Sequence, residues 1–409
     1  MTQHIESPRS ENDPKVTLRS PADLADALPY LMGFHPSDSI VMVALHGDHG
    51  RFGGRLRLGI PEDSAEWPEV ASQLADCLVR GSEQRGDRAA SIVLFLCQDP
   101  SETERPAQVM ERLRPLAQRL RTACGALDVP VVEALCVSAG RWWSYCCPGT
   151  DCCPADGFTI ATSGDSVMAA AAAYAGINVR GSLRDMEARL VPPATERTAG
   201  QARALDMACA ELVPRILDVG DCEAVRHRTL TLVGAALERF RATPADGDAR
   251  RSDQRDDALL GDDEAAEIIL GLQDRAARDR AAEWMEPPHT DPALRLWRAL
   301  ARRCVGPYED HAAAPLTLAG WVAWASGDEP EARVALGRAL DLDPGYTFAR
   351  LLHHSVNEGL DPEPLRQCLR QERRQRVIDA SKARRGPVGS AGRGPGRRSP
   401  GDRRARTRR

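Results

Sequence analysis

The sequence predicts an α/β domain followed by a helical domain. Three apolar stretches of strand length, 39–45, 91–97 and 129–137, lie before residue 140, and helical patterns connect them. After about residue 161 almost every patterned segment has helical periodicity. A chain of 409 residues exceeds what one core usually contains, so at least two domains are expected.

The N-terminal α/β domain is predicted over residues 16–161, after a disordered segment over residues 1–15. Its first helix begins after Ser20, a capping hydroxyl followed by a proline and an acidic residue. Residues 53–60 alternate with period two and form a hairpin with the preceding apolar strand. A hairpin followed by helix, strand, helix and strand predicts a mixed β-sheet with flanking helices.

The helical domain is predicted over residues 162–381. Residues 243–257 are rich in Asp, Arg, Pro and Gly, which predicts an exposed loop. Residues 313–346 span 34 positions and place Gly320 and Ala332 where two helices approach closely, as in a tetratricopeptide-like helical hairpin. The neighbouring segments fit this repeat badly, so a single hairpin packed on other helices is expected.

Charge is distributed unevenly along the chain. Residues 382–409 hold eleven Lys/Arg against Asp402, a net charge of +10, so residues 1–381 carry −15 of the total of −5. The arginine-, glycine- and proline-rich tail is predicted to be disordered. It contains no aromatic residue, so binding to nucleic acid or an anionic surface would be weak and non-specific, and an inert tail is equally consistent with the pattern.

The composition favours a cytoplasmic protein. The first 14 residues are polar and lack the apolar run of a secretory signal, and no stretch is long enough to span a membrane. The twelve cysteines are therefore expected to be mostly reduced thiols. Only two of the 54 basic residues are lysines, a bias typical of a GC-rich genome, so arginine abundance alone is poor evidence for phosphate binding.

Four of the cysteines lie in one short segment, at Cys146, Cys147, Cys152 and Cys153. Structural zinc motifs separate paired ligands by two to four residues, whereas directly adjacent cysteines point apart in extended chain. Zinc is therefore possible but not favoured, and Cys147 with Cys152 would be the metal-binding pair. The favoured interpretation is half-buried thiols beside Trp142, and a turn-closing disulfide is a third alternative.

A second group of candidate residues, His35, Asp38 and Ser39, lies in the loop that enters the first strand. A hydrolytic role would need Ser39 beside a base such as His35, but the Gly-x-Ser-x-Gly elbow that exposes a nucleophile is absent from the sequence. Asp38 as a turn residue and Ser39 as the first strand residue are favoured. Arg141 and Trp142, next to the cysteine segment, complete the candidate site residues.

Three segments in one order resemble a known family. They are Leu18-Arg-Ser-Pro-Ala-Asp-Leu with Pro29-Tyr-Leu-Met-Gly-Phe-His-Pro-Ser-Asp-Ser-Ile, Arg141-Trp-Trp-Ser-Tyr with Cys152-Cys-Pro, and Pro344-Gly-Tyr-Thr-Phe-Ala-Arg-Leu-Leu. Together they resemble the actinobacterial family "domain of unknown function 4192" over about residues 16–370. The resemblance implies one recurrent architecture and no activity, because the family has no assigned reaction, substrate or cofactor.

Two function hypotheses follow from these observations. The preferred one is a non-enzymatic interaction or regulatory protein that binds a protein partner through its helical domain. The alternative is a thiol- or metal-dependent enzyme that uses the Cys146–Cys153 segment.

Overall fold

A six-stranded mixed sheet forms the N-terminal part of the computed structural model. The strands are β1 (Ser39–His46), β2 (Arg51–Gly59), β3 (Ser91–Cys97), β4 (Val131–Ser138), β5 (Arg141–Ser144) and β6 (Phe158–Thr159). Their order across the sheet is β2-β1-β3-β4-β5-β6. Only the β3–β4 pair is parallel among these strands. The predicted mixed sheet is confirmed.

Helices make up most of the remaining described chain. They are α1 (Pro21–Met32), α2 (Trp67–Gln84), α3 (Pro106–Gly125), α4 (Val167–Tyr174), α5 (Leu183–Ala188), α6 (Arg197–Leu217), α7 (Cys222–Ala242), α8 (Ala249–Ala258), α9 (Asp262–Gly271), α10 (Arg275–Ala281), α11 (Thr290–Ala301), α12 (Ala313–Ala325), α13 (Glu329–Leu342), α14 (Thr347–Asn357) and α15 (Glu363–Arg384). The fold class predicted from the sequence, α/β followed by α, is confirmed.

The structure describes residue 18 and residues 20–47, 50–84, 86–147, 154–160, 167–174, 179, 181–193, 197–218, 221–245 and 247–384. The predicted disordered segment 1–15 and most of the basic tail lie outside these residues. One compact unit ends at Leu360 and a second begins at Asp361. The predicted boundary between two domains near residue 161 stays a prediction. No helix in the described ranges is long and apolar enough to span a membrane.

Strand β3 lies at the centre of the sheet and is buried on both faces. Ile92, Leu94 and Leu96 pack in one core with residues of α2 and α3. The alternate side chains, including Phe95, pack in a second core with residues of α1 and α5. Because both faces are covered, β3 is a continuous apolar run instead of an alternating one, and the sheet is the middle of three layers.

Helix α12 is buried along its whole length, from Ala313 to Ala325. A helix that is apolar on every side is stable only when other elements surround it. Helix α13 packs directly on it, since a Cβ at Gly320 would lie 2.5 Å from Leu336 Cγ. This pair lies in the predicted hairpin over residues 313–346, whose tetratricopeptide-like character stays a prediction.

The prediction of a loop is wrong for residues 249–257, which belong to α8, although most of the predicted segment is exposed as expected. Asp256 of α8 is 1% exposed and forms an ion pair with Arg295 of α11, which is 3% exposed. Arg302, directly after α11, binds Asp257 of α8, with 2.7 Å between Arg302 Nη2 and Asp257 Oδ1. Buried charges are stable when they are paired and hydrogen-bonded, so these ion pairs hold one polar face of α8 against α11, although the composition of α8 resembles that of a loop.

Candidate functional site

The loop from His35 to Ser39 lies where the carboxyl end of β3 meets the beginning of β1. Helix α1 ends at Gly33, whose backbone has φ +83°, and buried Phe34 turns the chain toward the sheet. Ser39 pairs with Cys97, the last residue of β3, so Asp38 lies beside Gln98. The carboxyl ends of parallel strands such as β3 and β4 are common positions for polar site residues.

Five polar side chains form a continuous hydrogen-bonded chain across this end of the sheet, which we call the edge chain. Its members are Glu104, Arg112, Gln98, Asp38 and Arg184. Arg112 donates to Glu104 through two nitrogens, each at 3.0 Å, and to Gln98 Oε1 at 2.8 Å. Gln98 Nε2 donates to Asp38 Oδ1 at 3.2 Å, and Arg184 donates to Asp38 Oδ2 from Nε at 3.0 Å and Nη2 at 2.6 Å. The edge chain therefore connects α3 to α5.

The electrostatics of the edge chain favour its charged forms. Hydrogen bonds from Arg112 lower the pKa of Glu104, and the same bonds raise the pKa of Arg112. Hydrogen bonding to Asp38 likewise raises the pKa of Arg184. Asp38 itself has φ +45°, a left-handed conformation that Asp tolerates better than most residues. The two arginines of the edge chain each bind a carboxylate, and these ion pairs fix the positions of the charged groups.

Ser39 is fully buried and its hydroxyl is already engaged. Ser39 Oγ accepts a hydrogen bond from Arg57 Nε at 2.8 Å and donates to the carbonyl oxygen of Ser37. His35 joins the site through its backbone, which exchanges hydrogen bonds with Gly181 and Leu183. Burial lowers the pKa of His35. Ser39 thus serves to position Arg57 and is not exposed as a nucleophile.

An open cleft of 680 Å³ adjoins the edge chain. Gln98 and Arg112 line it together with Trp67, at the beginning of α2, and Arg119 of α3. Trp67 Nε1 donates to the carbonyl oxygen of Pro61 at 3.1 Å, which fixes the indole ring at the cleft. The cleft combines an aromatic surface with two guanidinium groups, a composition suited to polar small molecules.

Arg141 and Trp142 lie on β5. Their side chains contact residues near β6 and take no part in the edge chain. Trp142 stacks on Phe158 with 4.6 Å between ring centroids, and Arg141 Nη1 donates to the carbonyl oxygen of Asp156 at 3.0 Å. Trp143 packs on the opposite face of the sheet, in the core that α2 and α3 cover. The two tryptophans therefore anchor β5 in both cores.

The cysteine segment is described only in part, since Cys152 and Cys153 lie outside the described residues. Cys147 is disulfide-bonded, and nine other described cysteines carry free thiols. Cys146 is half-buried, and burial and the nearby carboxylate of Glu133 raise the pKa of its thiol. Within the described ranges no group of three or more His, Cys, Asp or Glu side chains has the arrangement of a metal site. The Cys147–Cys152 metal hypothesis stays a prediction.

An exposed apolar surface lies on α6, in the helical part of the chain. Met207 and Leu217 are 74% and 77% exposed. Ala210 and Pro214, which lie between them at helical spacing, are also exposed. We call these four residues the α6 ridge. The opposite side of α6, including Leu205 and Leu212, is buried.

Asp38 and Ser39 can be identified as candidates from the sequence, but the residues that bind them cannot. Arg184 is 146 positions from Asp38 in the chain, and a sequence pattern does not reveal such a contact. Gln98 was recognisable in principle, because it directly follows a buried strand at the end where site residues collect. The α6 ridge was recognisable as apolar residues on the side of a helix opposite its core-facing stripe.

The six-stranded sheet with helices on both faces makes the protein a three-layer α/β protein, and further helices follow the sheet in the chain. A family model for a domain of unknown function (DUF4192) matches residues 21–363, and the chain belongs to this family. No curated protein and no solved structure matches the chain.

Proposed function

We propose that the protein is a non-enzymatic interaction or regulatory protein, and that a protein partner binds the α6 ridge. The observation that carries the proposal is the exposure of Met207 and Leu217 on one long helix. Single exposed apolar residues are normal, but a row of them along a helix is typical of a surface that another apolar helix covers. Methionine in particular is common at surfaces that adapt to a partner.

The state of the polar candidate residues supports a binding role over a catalytic one. Asp38 accepts three hydrogen bonds from Arg184 and Gln98, and Ser39 is buried and engaged. A general base or a nucleophile has to reach a substrate proton or carbonyl, which these contacts oppose. The same contacts make the end of the sheet rigid, as a binding scaffold requires.

Affinity capture with designed variants tests the proposal. The full chain is used as bait in extract of the source cells, in parallel with a Met207→Asp/Leu217→Asp variant and an Arg275→Glu control on α10, whose replaced side chain is 86% exposed and lies on another helix. We expect the wild type and the control to retain one partner in stoichiometric amount and the double variant to lose it. Because both replaced side chains are highly exposed, the variant should fold, which circular dichroism checks. Recovery of no stoichiometric partner by the wild type would contradict the proposal.

A cytoplasmic location and an actinobacterial origin are part of the same proposal. Free thiols at exposed positions such as Cys77 and Cys368 support a reducing compartment, whereas the disulfide at Cys147 opposes it. The near absence of lysine supports a GC-rich source genome. We also propose that the basic tail, 382–409, makes weak non-specific contacts with nucleic acid or an anionic surface, which salt would abolish.

The alternative is a thiol- or metal-dependent enzyme that uses Cys146–Cys153. The disulfide at Cys147 supports its thiol-dependent form, whereas its metal-dependent form would need Cys147 to be reduced to a thiolate. A disulfide next to a free thiol at Cys146 is an arrangement that thiol exchange can use. Metal analysis of protein purified without chelator, together with Cys147→Ser, tests it. Zinc at one equivalent, lost in the variant, supports metal dependence. Unchanged thiol reactivity and no bound metal exclude the alternative.

A further inference from the structure

Two arginines of the edge strand β2 lie on the same face of the sheet. Arg57 pairs with Val41 and Arg55 pairs with Val43, and both valines belong to the core that α1 and α5 cover. Paired residues of neighbouring strands project to the same face, so Arg55 and Arg57 project toward the α1–α5 side. The register then shifts within β2 at its glycine pair, so that Arg51 pairs with His46 on the opposite face.

The positive charge of Arg55 has no direct counter-ion. The side chain of Arg55 forms no hydrogen bond or ion pair with any residue that the structure describes. Burial lowers its pKa, and the nearby positive charge of Arg333 on α13 lowers it further. Glu329 of α13 opposes this effect but is bound to Arg333 at 2.9 Å. Arg55 is exposed, so a ligand can reach it, and an anion bound there would offset the repulsion between the two cations.

Arg57 is a pre-positioned cation. Its Nε donates to Ser39 Oγ at 2.8 Å, and Ser39 is fully buried at the beginning of β1. This bond leaves the outer nitrogens of the guanidinium group free of hydrogen bonds to described residues. Burial lowers the pKa of Arg57, and the charge of Glu187 on α5 only partly offsets this effect. A guanidinium held through Nε presents its remaining donors in a fixed orientation, which reduces the entropy lost on ligand binding.

We propose that Arg55 and Arg57 form a binding site for a phosphate-bearing small molecule at the β2 edge of the sheet. Two guanidinium groups two residues apart on one strand face supply more donors and more charge than one carboxylate can use, whereas a phosphate carries three acceptor oxygens and close to two charges. Arg333 forms a further positive wall of the site. The proposal is independent of the α6 ridge, which lies on a different element.

Glu187 gives the site selectivity. Burial raises the pKa of Glu187, and the charge of nearby Arg57 opposes the shift. The Glu187 carboxylate therefore lies near Arg57, but its side chain forms no hydrogen bond or ion pair with a described residue. A carboxylate there repels a bare phosphate and accepts a hydrogen bond from a hydroxyl group. The preferred ligand is therefore a phosphate ester whose alcohol part carries a hydroxyl, and inorganic phosphate binds more weakly.

Titration calorimetry with inorganic phosphate as the probe tests the site on the full chain, with sodium chloride at matched ionic strength as the reference. We expect phosphate binding by the wild type and binding about tenfold or more weaker in Arg55→Gln, which loses charge-assisted hydrogen bonds. Glu187→Gln should bind phosphate several-fold more tightly. Arg51→Gln is the matched control, because it removes the same type of charge from the opposite face of the same strand.

The outcomes separate the proposal from its competitors. Arginines on an edge strand also protect the strand from pairing with other chains. If that is their only role, phosphate produces no heat beyond chloride, and the proposal is overturned. Equal weakening in Arg51→Gln and Arg55→Gln would mean attraction by overall charge and would overturn it as well. Tighter binding of acetate than of phosphate would overturn the assigned ligand class.

Discussion

Asp38 joins four parts of the chain through one residue. Its carboxylate binds Gln98 at the end of β3 and Arg184 on α5, and its carbonyl oxygen accepts from the backbone of Ile60 after β2 at 2.9 Å. It also begins the turn into β1 with a positive φ. Asp38 combines a positive φ with three side-chain hydrogen bonds. Few other residues provide both, so most substitutions at this position should lower the free energy of unfolding.

Replacement of Asp38 should separate these two properties. Asp38→Asn keeps a residue that tolerates φ +45° but weakens the pairing with Arg184, so we expect a loss of about 0.5–1 kcal/mol, since the ion pair is partly exposed. Asp38→Ala also removes the tolerance and the hydrogen bonds, with a loss of about 2 kcal/mol. Urea unfolding measures both. Equal losses in the two variants would show that the backbone conformation contributes nothing.

The sequence identified part of this site at the residue scale. Asp38 and Ser39 are candidates because they lie in the loop that enters the first strand, a common position for polar site residues, whereas no sequence pattern points to Arg57 or Arg112. Their roles depend on register and on packing across the sheet, which one sequence does not specify. Arginine is also so frequent in this chain that no single arginine was distinctive.

Among the elements, α8 shows how ion pairs replace apolar contacts. Asp256 is almost fully buried and is bound by Arg295, which also donates to the carbonyl oxygen of Thr243 at 2.8 Å. Removing one partner of a buried pair leaves an uncompensated charge, whereas removing an exposed partner costs little. Arg295 has one partner of each kind, because Asp291, 3.6 Å away, is 68% exposed.

This difference can be measured with two aspartates that share one arginine. Asp256→Ala should lower the free energy of unfolding by about 3–5 kcal/mol, because Arg295 stays buried without its main partner. Asp291→Ala should change it by less than about 0.5 kcal/mol. Chemical denaturation of both variants provides the values. Similar losses would mean that burial of the pair does not determine its contribution.

Most strands and helices could be predicted from the sequence, but the turn that joins β4 to β5 could not. The runs at β1 and β3 were placed within one residue of their observed bounds, because continuous apolar stretches identify buried strands. The hairpin from β4 to β5 was missed. Its turn places Ala139 at φ +49° and Gly140 at φ +71°, and alanine is not a residue that signals such a turn.

Across the whole molecule, several histidines are less easily protonated than in water. Burial lowers the pKa of His35, His311 and His353. In the unfolded chain these groups have pKa values near 6.5, so below that pH the unfolded state binds more protons than the folded state. Their contribution to stability is present above about pH 6.5 and is lost as the pH falls through that range toward their folded pKa values.

We therefore expect the free energy of unfolding to decrease between pH 7.5 and pH 5.5. Glu187, whose pKa is raised by burial, acts in the opposite direction as it takes up a proton, but it is one group against three. Urea titrations at the two pH values measure the change, and His353→Gln should reduce it. A decrease that is the same in the variant and the wild type would contradict the assignment to His353.

The complete burial of α12 also has a consequence during synthesis. When Ala325 has left the ribosome, thirteen consecutive residues that belong inside the protein are in water, and α13, which packs on them, has not yet been made. A chain that stops there can pack α11 on α12 but leaves the face that α13 covers exposed to water, so truncation between α12 and α13 should produce an aggregation-prone fragment. Because α13 is made after α12, the part of the chain before residue 325 should stay in solution only when the part after it is also present.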